Sequence, residues 1–95
     1  MNKYEIMFIV KADLGEEEGQ KTAKDFEEIL TSYKATIENS KDMGVQRLAY
    51  PIKDAVRGNY HVLNVTASAE AIKEFDRKAL IDERILRHLI IKDGE

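Results

Sequence analysis

The chain has 95 residues, enough for a single domain spanning 1–95 with one small core, and too few for two domains or a deep internal substrate cavity. It contains no cysteine, which excludes disulfides and thiolate metal sites, and no apolar run near the ~20 residues that cross a bilayer. The formal charge is −3, and residues 13–33 hold seven acidic against two basic side chains, so a uniformly basic nucleic-acid binder is excluded while a locally basic face is not.

Residues 3–11 are rich in aromatic and β-branched types and predict a strand. Period two puts Tyr4, Ile6, Phe8 and Val10 on one face and Glu5, Met7, Ile9 and Lys11 on the other, and two apolar faces argue for a central strand. The apolar opening Met1–Val10 has no cleavage site and alternates with Lys3 and Glu5, so it reads as mature structure and not as a signal peptide. Residues 15–33 predict a helix whose stripe is Ala23, Phe26, Leu30 and Tyr33, with Asp13 and Glu16 as a capping pair. Residues 35–52 predict a long strand with a bulge or bend at Gly44. Residues 53–58 predict a polar turn, and residues 59–67 a strand with Leu63 and Val65 facing one way and Tyr60 and Val62 the other. Residues 69–81 predict a second helix, capped by Ser68 and packed through Ile72, Phe75 and Ala79. Residues 84–92 predict the last strand.

The order βαββαβ predicts an α+β, ferredoxin-like sandwich: a four-stranded antiparallel sheet with two helices on one face and the other face open. The histidines, His61 and His88, fall on strands that the first strand separates, and they supply too few ligands for zinc. Glu16, Glu17 and Glu18 lack the alternating ligand loop of a calcium site and read as a solvated first helical turn favoured by the helix dipole. Asp25, Glu27 and Glu28 lie on an exposed helix with nothing apolar to tune them for acid–base work. No glycine-rich phosphate loop occurs. The third strand, Asn59 to Val65, lacks the aromatic signature with which sheet-based RNA readers stack bases. These residues predict no catalytic site, no metal and no cofactor.

Gly44-Val45-Gln46-Arg47-Leu48-Ala49-Tyr50-Pro51-Ile52 resembles the hallmark stretch of the bacterial small-subunit ribosomal protein S6 family. The opening Lys3-Tyr4-Glu5-Ile6, the Gly58-x-Tyr60 pair and Ile85 through Lys92 are similar to that family as well. Val45 and Gln46 stand where members often carry basic residues, and Arg47 keeps the final basic position. The resemblance implies a ribosomal protein of the cytoplasm without catalytic activity, which binds the central domain of 16S ribosomal RNA as a heterodimer with the small basic protein S18, with no membrane and no small-molecule substrate.

On that reading Lys3, Arg47, Arg87 and Lys92 contact ribosomal RNA, with Arg87 and Lys92 extending one basic edge beside the first strand. Leu48, Tyr50, Tyr60 and Val62 lie on the open sheet face and meet the partner protein. Pro51 suits a sheet edge. The same topology also hosts small-molecule regulatory or dimerising domains, which would pair through the open face. It hosts acylphosphatase-like enzymes too, whose phosphate-cradling loop would here carry Asp13.

Overall fold

The computed structural model describes residues 2–52 and 55–93. The backbone runs through β1 (Asn2–Lys11), a 3-10 turn (Ala12–Leu14), α1 (Glu16–Ser32), β2 (Thr36–Ile52), β3 (Ala55–Ala67), α2 (Ala69–Ile81) and β4 (Ile85–Asp93). The strands form one antiparallel sheet in the order β2-β3-β1-β4, the ferredoxin-like arrangement. The doubly apolar β1 is central, and the proline-bearing β2 is an edge strand.

Both helices cover one face. Phe8 of β1 meets Phe26 of α1 and Phe75 of α2 with ring centroids 6.0 and 5.9 Å away, and Phe26 and Phe75 close the triangle edge-to-face at 5.3 Å. Such pairs add to the burial of ring area by about 0.5–1.5 kcal/mol each. Ile6, Val10, Leu63, Val65, Leu30 and Ile85 complete the buried layer. The expected helical stripes are in place, except that Tyr33 lies at the C-cap of α1 and is exposed.

The caps divide the two helices. Ser68 accepts a hydrogen bond from the Ala71 N–H at 3.2 Å, as its position predicts. At α1 the expected capping pair is absent. Asp13 sits inside the 3-10 turn, and Gly15, which has no side chain to offer, occupies the N-cap. At the other end of α1, Ala35 N–H donates to Leu30 C=O and Lys34 N–H to Thr31 C=O, the paired closure in which one residue turns left-handed. That residue is Lys34, with φ 65°.

Strand pairing also differs at the hairpin. β3 begins at Ala55, opposite Ile52, so Arg57 and Gly58 belong to the ladder and not to a turn over 53–58. Gly44 does mark an irregularity, since the register shifts between Asp42 and Gly44, Gly44 has φ 85°, and its N–H is held by Asp42 Oδ1 at 2.8 Å.

Candidate partner and nucleic-acid interface

The face away from the helices is assembled by register. Ile9 of β1 lies opposite Tyr60 of β3 and Arg87 of β4, Met7 lies opposite Val62 and Leu89, and Glu5 lies opposite Asn64 and Ile91. Directly opposed residues share a face, so these side chains form one surface. Leu89 is 48% exposed and Ile91 50%. Met7, Ile9, Tyr60, Arg87 and Leu89 line a hollow of about 180 Å³.

The hairpin end of β2 folds over this face. Leu48 packs in one cluster with Ile9 and Leu86, and Arg87 Nη1 donates to the Tyr50 hydroxyl at 2.9 Å. β2 and β4 are the two sheet edges, three strand spacings or about 14 Å apart. A leucine and a tyrosine bridge that span only because β2 curls, which the register break between Arg47 and Ile52 permits. The open face is therefore bare over its middle and closed by the chain itself at the hairpin. Leu48, expected as an exposed contact, is 7% exposed and shapes the surface from beneath. Tyr60 and Val62 are half-buried, with Tyr60 packed against the same cluster. Tyr50 stands 57% exposed above it.

The four expected RNA-contacting residues are all exposed, but they do not form one edge. Lys3, opposite Thr66, and Arg87 lie on the open face. Lys92 lies opposite Tyr4, whose ring packs on the helix-side core, so it faces the other way from Arg87. Arg87 and Lys92 thus share the edge strand β4 but project from its two faces, since residues 87 and 92 differ by an odd number. Arg47 lies on the opposite side of β2 from Leu48. Among the described residues Lys3, Arg47, Arg87 and Lys92 make no ion pair. Arg84, by contrast, is held by Asp82 at 2.7 Å and Asp25 at 3.3 Å, so that cation is occupied within the fold.

The histidines serve the covered side. His61 is buried and stacked on Phe8 at 5.1 Å. Burial holds it below the ordinary histidine range, with Asp42 and Glu27 pulling weakly the other way. His88 Nε2 lies 2.6 Å from Asp76 Oδ1 of α2. Among the described residues no three His, Asp or Glu side chains converge as metal ligands would, and no helix is long and apolar enough to cross a membrane. Leu89 and Ile91 were not singled out from the sequence, although alternation through β4 puts both on the face of Arg87.

The class is that of a ferredoxin-like α+β sandwich with an uncovered, apolar sheet face. A model of the family described as ribosomal protein S6 matches residues 3–92, and the chain belongs to that family. It is a component of the small ribosomal subunit. Among solved structures, the crystal structure of the 30S ribosomal protein S6 of Thermotoga maritima is similar at 25% identity and a TM-score of 0.90, over 97% of this chain and 87% of that one.

Proposed function

We propose that this chain binds the central domain of 16S ribosomal RNA together with the small basic ribosomal protein S18, as a structural and not a catalytic component. The observation that carries this reading is the uncovered sheet face, where Tyr50, Leu89 and Ile91 stay about half exposed and Met7, Ile9, Tyr60 and Leu89 line a hollow of about 180 Å³. Exposed apolar patches of this kind mark partner sites, and tyrosine is a frequent anchor in them. The partner meets Tyr50, Tyr60 and Val62, with Leu48 supporting them from below and Arg87 orienting the Tyr50 hydroxyl. Lys3, Arg47 and Lys92 reach phosphates around the rim. The basic partner supplies further cations to the RNA.

Reconstitution tests the reading. The chain, an S18 partner and a central-domain RNA fragment are mixed and followed by sedimentation. A ternary complex tighter than either binary one is expected. A chain that forms only a homodimer and engages neither macromolecule overturns the proposal.

A further inference from the structure

Arg47 of β2 and Arg57 of β3 are directly opposed in the hairpin ladder. Both are exposed, and among the described residues neither makes an ion pair, although Asp13 shares with Arg57 the wall of a cleft of about 510 Å³. Opposed like charges destabilise a ladder, with Cβ atoms only about 4.5–5.5 Å apart. Two guanidinium groups on directly opposed residues bring ten N–H donors to one place on the hairpin.

Their backbones are pinned. Leu48, next to Arg47, is buried against Ile9 and Leu86. Gly58, next to Arg57, is buried too, and a Cβ there would stand 2.2 Å from Ile9 Cγ2. The apolar cluster on one face of the hairpin thus fixes where the two arginines project on the other. Donors held in place before a ligand arrives lose less freedom on binding it.

We infer that Arg47 and Arg57 form a two-strand clamp for a single backbone phosphate of the RNA, on the hairpin face opposite to Leu48 and Tyr50. The inference rests on the RNA-binding reading above and adds Arg57 to it. Arginine suits this role because its planar fork pairs bidentately with phosphate oxygens, and the anion between the two forks cancels their repulsion. The hairpin then works on both sides: Tyr50 towards protein, the arginine pair towards nucleic acid.

The test is the salt dependence of binding between the full chain with its S18 partner and the central-domain RNA fragment. Arg57→Gln lowers the slope of log affinity against log salt by about one. The deficit of the variant relative to wild type therefore shrinks about threefold between roughly 50 and 200 mM salt. Arg57→Lys keeps the slope, because the charge stays, but binds more weakly. Arg47→Gln and Arg57→Gln combined lose less affinity than the product of the single losses, because both grip one phosphate. Arg77→Gln, an exposed arginine of α2, matches wild type. An Arg57→Gln complex with wild-type affinity and slope overturns the clamp alone, and strictly multiplicative losses overturn the shared phosphate. A wild-type pair that fails to bind the RNA overturns the assembly reading and the clamp with it.

Discussion

The two faces of the sheet are made from alternate residues of the same strands, yet they are closed by different means. Phe8 points to the helices and is sealed by Phe26, Phe75 and His61. Ile9, the next residue, points the other way and is sealed by Leu48 of the curled hairpin and Leu86 of β4. The covered face uses its apolar side chains to hold the chain together. The open face spends a few on anchoring the hairpin and leaves Tyr50, Leu89 and Ile91 half in water.

This contrast can be broken by mutation. Phe8→Ala removes the centre of the aromatic triangle and costs about 3–5 kcal/mol of stability, whereas Leu89→Ala stays within about 0.5 kcal/mol. Urea denaturation of both variants measures the gap, and equal losses would show that the open face is as structural as the covered one. Tyr50→Asp leaves folding intact while partner binding weakens by about 2 kcal/mol or more, as expected of an anchor. Full retention in a pull-down with the S18 partner would remove Tyr50 from the interface.

Gly58 tests the hairpin anchor. Gly58→Ala drives a methyl group into Ile9, a β-branched side chain with little freedom to turn away, and costs about 1–3 kcal/mol. A neutral result in thermal unfolding would mean that the hairpin is not held against β1.

Two smaller effects sharpen the account of the covered layer. Lys34 adopts a left-handed conformation that glycine takes without strain, so Lys34→Gly stabilises by about 1 kcal/mol, read from the urea midpoint. Burial favours the neutral form of His61 in the folded chain. The unfolded chain, with an ordinary histidine near about 6.5, takes up the proton first. Stability from neutral His61 is therefore present above that value and lost as pH falls through the lower folded one. Between about pH 7 and pH 5 the wild type loses more stability than His61→Phe. A parallel decline in both would show that His61 does not titrate against the fold.

Much of this was legible from residue order. Alternation in residues 3–11 and 59–67 predicts which side chains meet the helices, and the stripes around Phe26 and Phe75 predict the layer above them. Residues 44–52 and the chain's opening carry the family resemblance that the match over residues 3–92 bears out. The cap of α1 departs from the pattern because Asp13 fits a capping pair by spacing alone, while a 3-10 turn takes up those residues before the helix starts. The turn is shorter than the polarity of residues 53–58 predicts, because polarity does not stop an edge ribbon from pairing.

The sequence by itself determined the strand and helix order and, away from bulges and helix ends, the face of the side chains, because period two and period 3.6 are local properties of the backbone. Only the tertiary structure decided that Leu48 is buried, that Tyr50 reaches Arg87 across the sheet, and that Arg47 stands opposite Arg57. Those relations depend on cross-strand register and on how far a long hairpin curls. Both are set by contacts between residues distant along the chain, which no local pattern encodes.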